Sequence, residues 1–389
     1  MLTLDSLEEL LGPKGQEALS LAIERRPSPA TLLADLEALR GPYGPVLASA
    51  AVEIAMLRAR AEAKFSRAPE MYFTREALEQ ATTEAVARHR ATRYQDCAAI
   101  VDLCCGIGGD LVQLAGLGSV AGVDLDPLRL RMARLNAAAY GVADRVTLHQ
   151  ADVGTWEPPA GAALFFDPAR RLEGRRVFEP ERYQPSLGLI DRWLGRSDGI
   201  GVKVAPGIDY DALPWEHREV EVVSLGGEVK EAVLWFGRFV RAERSATVLP
   251  AGATLSASAV EPIPSTAPRR YLYEPDGAVI RAHLVEHLAA ELGATKIDDK
   301  IAFLSGDEQR VTPFARSFRV DDVLPFNLKR LRQYLRERSI GRVVVKKRGS
   351  PIDPQVFEQQ LRARGDRSAV IVLTRVLGKP ATLICDERD

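Results

Sequence analysis

The chain has 389 residues, enough for roughly two to three domains, and its 46% hydrophobic and 27% charged content excludes a disordered or fibrous protein. A formal net charge of −1 excludes a uniformly basic nucleic-acid binder and leaves a local basic patch open. Cys97, Cys104, Cys105 and Cys385 form no CxxC pair and have no nearby His, which excludes a disulfide framework and a structural zinc; no metal is expected.

The opening MLTLDSLEELL carries acids where a secretion signal needs positive charge, and no apolar run approaches about 18 residues, so a cytoplasmic protein away from membranes is expected. Residues 1–66 read as helices: Leu7, Leu10 and Leu11, then Leu32, Leu33, Leu36 and Leu39, recur at helical spacing between charges. One further helix is expected in 67–93 (TREALEQATTEAVARHRATR), with Thr74 as its N-cap.

Beyond residue 97, strands and helices alternate. Strands are expected at Ala98–Asp102, Val120–Asp124, Val146–His149, Ala162–Asp167 and Gly199–Ala205. The helix DPLRLRMARLNAAAYG has Asp126 as N-cap, Pro127 in its first position and Gly141 at its end. Glu219–Val223 and Glu231–Phe239 read as two strands joined by the turn-rich SLGGEVK. This pattern predicts an α/β, Rossmann-like, seven-stranded sheet over 94–240, preceded by a helical region over 1–93. Residues 241–316 read as a linker or β-rich extension, with a short helix at VIRAHLVEHLAAELG. Residues 317–389 read as a small α/β domain: NLKRLRQYLRER, RVVVKK, DPQVFEQQLRARG, SAVIVLTRV and ATLICD. That last segment holds 16 Lys+Arg against 9 Asp+Glu, a net of +7 that leaves −8 for the rest of the chain.

The sharpest motif is IVDLCCGIGGDLVQLAGLGSVAGVDLDP, a strand, a Gly-rich turn, a helix and a strand ending in an acid. Gly106 and Gly108 permit a tight turn with space for a ligand, and Asp124, 18 residues after Gly106, stands where a ribose diol would be held. A nicotinamide fingerprint needs a third Gly where Leu111 stands, and it has no use for an acid at Asp102. Asp102 suits a ligand with a cationic amino-acid end. Adenosine, ribose and methionine together describe S-adenosylmethionine.

On these residues the chain resembles the class I S-adenosylmethionine-dependent methyltransferases. VDLCCGIGGD followed by GVDLDPLRLRMARLNAAAYGVADRVTLHQAD looks like the trimethylguanosine-synthase type of RNA cap methyltransferase, over about residues 95–170. The whole chain looks like a bacterial methyltransferase group with a C-terminal THUMP-like domain. The resemblance implies that Asp102 and Gly106 face the methionine part, Asp124 the ribose and Asp152 the adenine amino group. It also suggests that KFSRAPEMYFTREALEQAT packs across the cofactor mouth; there Gln80 is a candidate contact, and Tyr72 and Phe73 are expected in the core.

Amino-methylating enzymes of this fold carry Asp or Asn, two prolines and an aromatic residue after the fourth strand. The corresponding LFFDPARR retains Asp167 and Pro168 but has Ala169 for the second proline and Arg170 for the aromatic. Asp167 and the Pro168 carbonyl can hold the hydrogens of an acceptor amine so that its lone pair faces the methyl group. Arg170 can stack on a base or hold a phosphate. Lys203 ends the fifth strand beside the same presumed cleft, and Glu228, Lys230 and Glu231 follow a Gly-Gly turn; these positions can touch substrate or form ion pairs at a loop. Lys346, Lys347 and Arg348, with Lys329, Arg330, Arg332, Arg336 and Arg338, predict a phosphate-tracking surface, and THUMP-type domains are associated with structured RNA. His283 and His287 lack a third ligand nearby, and Cys104 and Cys105 read as packing residues. The expectation is a methyltransferase acting on an RNA base. Its rivals are a small-molecule methyltransferase and an inactive RNA-binding protein of the same fold.

Overall fold

A computed structural model describes residues 2–168, 171–172, 175–176 and 183–386, the two dipeptides through their backbone alone. Two compact units emerge, one of Met1–Arg218 with Ala232–Arg241 and the other of Glu219–Glu231 with Ala242–Asp389.

The first unit opens with helices α1 (Leu4–Leu11), α2 (Pro13–Arg25), α3 (Leu32–Tyr43) and α4 (Pro45–Ala61). Thr3 and Ser6 cap α1 reciprocally, and Pro13 and Pro45 occupy first-turn positions, where a missing N–H costs nothing. Their apolar faces meet in one core holding Leu7, Leu10, Ala51, Ile54 and Leu57, together with Phe65, Phe73, Ile107 and Met132. The helices are thus packed onto Ile107 of the Gly-rich turn and onto the later helix Pro127–Ala139 that carries Met132.

The single helix expected within 67–93 is two, α5 (Arg75–Gln80) and α6 (Glu84–Ala91). Thr74 caps the first, accepting the N–H of Ala77, as its position predicts. The break has a tertiary cause. Lys64 Nζ donates to the carbonyls of Leu78 at 2.7 Å and Ala81 at 3.0 Å, which satisfies the end of α5, and Thr83 turns extended before α6.

The sheet follows: β1 (Ile100–Leu103), α7 (Leu111–Ala115), β2 (Val120–Asp124), α8 (Pro127–Ala139), β3 (Val146–Gln150), β4 (Ala163–Phe166), the antiparallel pair β5 (Arg171–Leu172) and β6 (Arg175–Arg176), α9 (Leu189–Trp193), β7 (Gly199–Val204), β8 (Glu219–Leu225) and β9 (Glu228–Gly237). Within this unit the order is β3-β2-β1-β4-β7, all parallel, with Ala232–Gly237 of β9 antiparallel on β7. This is the expected doubly wound, Rossmann-like arrangement. Its first reversal in strand order lies between β1 and β4, where ligands bind in such sheets. Asp126 caps α8 by accepting from the N–H groups of Leu128 and Arg129. The sixth expected strand, β8, belongs to the second unit.

In that unit β8 pairs in parallel with β10 (Arg244–Leu249), on which β11 (Ala253–Ser256) folds back. The continuation holds β12 (Tyr271–Pro275), α10 (Gly277–Arg281), α11 (Val285–Leu292), β13 (Thr295–Asp298), β14 (Ile301–Gly306), β15 (Ala315–Pro325), α12 (Leu328–Glu337), β16 (Ile340–Lys347), α13 (Pro354–Leu361), β17 (Arg367–Val376) and β18 (Lys379–Asp386). VIRAHLVEHLAAELG is therefore two helices, divided at His283, whose φ is +60°. Seven strands pair in the order β13-β14-β12-β15-β18-β17-β16. The run AVIVL in β17 is apolar throughout because both its faces are covered: Ile371 and Leu373 pack with Leu331, Leu335 and Phe357, and Val370 and Val372 with Leu272, Phe303 and Phe318. Among the described residues no helix is long and apolar enough to cross a membrane.

Candidate active site

The first unit contains a cavity of about 590 Å³ at the carboxyl ends of β1, β2, β4 and β7. Its wall includes Gln80 and Thr82 from the break between α5 and α6, Asp102, Cys104, Gly106, Asp124, Arg129, Asp152, Asp167, Pro168 and Lys203. Most of the expected site residues thus converge. Gly108 does not line the cavity, Arg170 lies outside the described residues, and Lys346, Lys347 and Arg348 belong to the second unit.

The turn after β1 is built on positive φ angles at Cys104 (+64°), Gly106 (+54°) and Gly108 (+83°). The two glycines serve different ends. A Cβ on Gly106 would meet nothing within 4 Å, whereas one on Gly108 would come within 3.3 Å of the Ala133 Cβ on α8. Gly106 therefore keeps the cavity floor open, and Gly108 lets the turn lie against the helix. Three side chains hold this turn. Asn136, fully buried on α8, donates to the Ile107 carbonyl at 2.8 Å and exchanges two hydrogen bonds with the backbone of Tyr72. Arg90 of α6 pairs with Asp110 and lays its guanidinium over the Phe165 ring, 4.4 Å from the centroid. Asp124 accepts the Gly106 N–H at 2.8 Å on one oxygen and the Asp126 N–H at 3.0 Å on the other.

Asp102 is 1% exposed, lines the cavity, and neither of its carboxyl oxygens has a hydrogen-bond partner among the described residues. Burial pushes its carboxyl well above the usual carboxylate range, and the charges of Asp110 and Asp167 push in the same direction. An unpartnered buried carboxylate is costly, and a ligand ammonium group is the partner that would relieve it. Asp152 is exposed at the cavity edge and spends one oxygen on the Gly154 N–H at 2.7 Å, leaving the other to the cavity.

Asp167 follows β4, its own N–H bonded to the Leu103 carbonyl of β1 at 3.2 Å. Its Oδ2 accepts from Lys203 Nζ at 2.6 Å, and the same ammonium donates to Thr82 Oγ1 at 2.8 Å. The ion pair expected of Lys203 thus lies inside the cavity wall. Glu228 and Lys230 pair with each other at 2.6 Å in the second unit. Tyr72 and Phe73 are core residues, as expected, and Gln80 faces the cavity. Thr82 and Arg129 lie inside the stretches KFSRAPEMYFTREALEQAT and GVDLDPLRLRM, but nothing in their type or spacing marks them as cavity residues.

The basic segment is only partly available to a ligand. Lys346 bonds to Glu274 at 2.7 Å, and Arg348 donates to the Ala302 carbonyl at 2.9 Å, burial lowering its guanidinium pKa below the ordinary value; Lys347 is exposed. On α12, Lys329, Arg330 and Arg336 are exposed, and Arg332 donates to the Gln360 carbonyl of α13.

This sheet, with its cavity and orphaned acid beside a Gly-rich turn, defines a class I methyltransferase fold. The sequence profile of RNA cap guanine-N2 methyltransferases matches residues 97–177, that of THUMP domain-like sequences matches 315–387, and residues 3–61 match a domain of unknown function. An uncharacterised S-adenosylmethionine-dependent methyltransferase of Mycobacterium tuberculosis, from strains CDC 1551 and H37Rv alike, is 40% identical over 338 residues, covering 84% of this chain and 92% of its own length. The fold is shared with a protein of Porphyromonas gingivalis W83 described as a candidate methyltransferase, at a TM-score of 0.77 and 21% identity over 96% of this chain and 99% of that one. The chain belongs to the S-adenosylmethionine-dependent methyltransferases, and S-adenosylmethionine is its cofactor.

Proposed function

We propose that this enzyme methylates a base in RNA, with Asp167 and Pro168 at the acceptor and the terminal basic segment holding the RNA. The observation that carries this reading is the pairing of two acids in one cavity. Asp102 is unsatisfied and ready for a cation, and Asp167 is already fixed by Lys203. When bound, S-adenosylmethionine supplies a methyl group made electrophilic by its sulfonium. The chain's own residues have the remaining work. Asp102 and Gly106 receive the methionine end, Asp124 the ribose and Asp152 the adenine. Asp167 and the Pro168 carbonyl accept hydrogens from an exocyclic amine, whose lone pair is otherwise drawn into the base. The match to RNA cap guanine-N2 methyltransferases and the THUMP-like segment both support RNA as the acceptor.

The test is transfer of tritiated methyl from the cofactor to total RNA stripped of modification, followed by nucleoside identification. Label in a base supports the reading. Label confined to a small-molecule extract moves the assignment to a small-molecule enzyme. Cofactor binding with no transfer leaves an RNA-binding protein of this fold.

Asp124→Ala is expected to weaken S-adenosylhomocysteine binding about 10- to 100-fold, from the loss of a charge-assisted contact worth about 1.5–3 kcal/mol. It also releases the Gly106 and Asp126 N–H groups, so the upper end of that range is expected. Calorimetry on both proteins decides; equal affinity removes Asp124 from the cofactor site.

For RNA, each neutralised phosphate adds about −0.7 to −0.9 to the slope of log affinity against log salt. Because Lys346 and Arg348 are engaged within the fold, the expected contacts are Lys329, Arg330, Arg336 and Lys347. Replacing all four by Ala should make the slope shallower by about three units. Superimposable salt curves would take this surface out of RNA recognition.

A further inference from the structure

We infer that Lys203 is a positioning residue for the acceptor carboxylate, anchored by Thr82 and holding Asp167 so that one oxygen is fixed and the other is left to the acceptor. This rests on the assignment of Asp167 to the acceptor side.

Three elements meet at one ammonium group. Lys203 stands in β7 and is 3% exposed, so its charge is almost wholly removed from water. Such an ammonium persists only if its hydrogens are taken up. One goes to Asp167 Oδ2 at 2.6 Å, after β4, and one to Thr82 Oγ1 at 2.8 Å, in the break between α5 and α6. Thr82 is itself buried, so the anchor is as fixed as the lysine. Asp167 Oδ1 takes no hydrogen bond from the described residues, and the residue lines the cavity.

The division of charge gives the lysine its purpose. Asp167 is close enough to Asp102 for its charge to oppose ionisation of the Asp102 carboxyl, and the two acids together help to raise the Cys104 thiol. Among the described residues Lys203 is the only cation hydrogen-bonded to either acid. It is committed to Asp167, and Asp102 is left for the cofactor's ammonium. Without that commitment the two acids would compete for the same ligand charge, and Asp167 would be free to rotate away from the acceptor. An Arg at 203 can keep both hydrogen bonds; a Met of similar length keeps neither.

Two readouts test this. In protein labelled with ¹⁵N-lysine, the buried ammonium should give a slowly exchanging ¹⁵Nζ resonance, absent in Lys203→Arg and exchanging at least about tenfold faster in Thr82→Val. In methyl transfer to unmodified total RNA, Lys203→Met should lower kcat by about 10²-fold, on the scale of a lost preorganised electrostatic contact. S-adenosylhomocysteine affinity should stay within about twofold, and Lys203→Arg should recover most of the loss. Loss of cofactor affinity in parallel with kcat, or no recovery by Arg in a folded protein, would make Lys203 a structural residue only and overturn the inference. So would the lack of a protected Lys203 resonance in the wild type. If the wild-type protein labels no RNA, the RNA reading falls, and the resonance experiment alone decides for or against Lys203.

Discussion

Asp102→Asn should bind S-adenosylmethionine about 10²-fold more weakly than the wild type and yet melt at a higher temperature in the absence of ligand. The first effect follows from breaking a buried charge pair, about 3 kcal/mol at the lower end of the usual range. The second follows from the sign of the ionisation shift. Burial raises the Asp102 carboxyl well above the usual carboxylate range. A carboxyl raised in this way binds more protons folded than unfolded, so stability falls as pH climbs from the unfolded value, about 3.9, to the raised folded one. At neutral pH the residue therefore costs stability, and an uncharged amide of the same shape removes most of that cost. Each kcal/mol recovered should add about 2–4 °C to the melting temperature. The same shift makes wild-type cofactor affinity increase with pH, because the ammonium partner selects the ionised carboxyl. Calorimetry across pH and thermal melts of both proteins check the set. A variant with wild-type affinity and an unchanged melt would mean that Asp102 meets no cation.

If Asp167 serves the acceptor as proposed, Asp167→Ala should lower methyl transfer by about 10²–10³-fold with cofactor affinity nearly unchanged. Structure adds a complication that composition alone does not reveal. Alanine leaves the buried Lys203 with Thr82 as its remaining hydrogen-bond partner among the described residues, so this variant should also be less stable. Asp167→Asn separates the two effects: its single amide oxygen can accept from Lys203, which keeps most of the stability, but then only the NH2 faces the acceptor amine, so activity should be lost here although other enzymes of this fold carry Asn at this place. Full turnover in Asp167→Asn would show that hydrogen bonding at this position suffices without a negative charge. Full turnover in Asp167→Ala would move the acceptor site elsewhere.

The features legible in the sequence are those with local causes. Val120–Asp124 has the same bounds as expected, and Thr74 and Asp126 cap helices because a short polar side chain before a helical run reaches N–H groups two or three residues ahead. The convergence of Asp102, Gly106, Asp124 and Asp167 follows from strand ends in a parallel sheet. What was not legible depends on partners far along the chain. The break between α5 and α6 needs Lys64, whose bonds to Leu78 and Ala81 span 14 and 17 residues. The Asp167–Lys203 pair spans 36 residues. Lys346 and Arg348 looked like a free basic patch, but Glu274 and the Ala302 carbonyl, 72 and 46 residues away, take up one hydrogen bond from each. The strands Thr295–Asp298 and Ile301–Gly306 are short, and their pairing, not their pattern, makes them strands.

Asn136 joins the Gly-rich turn to the segment behind the N-terminal helices, and Ile107 and Met132 are buried in the same core as Leu7 and Ile54. The Gly-rich turn that lines the cavity thus has its foundation in N-terminal helices that do not line it. Order at the binding loop and cohesion of the helical bundle draw on one shared reserve of packing. Loosening the bundle at a residue such as Ile54 would register as a slack cofactor loop, and a ligand seated on that loop would in turn tighten helices on its far side.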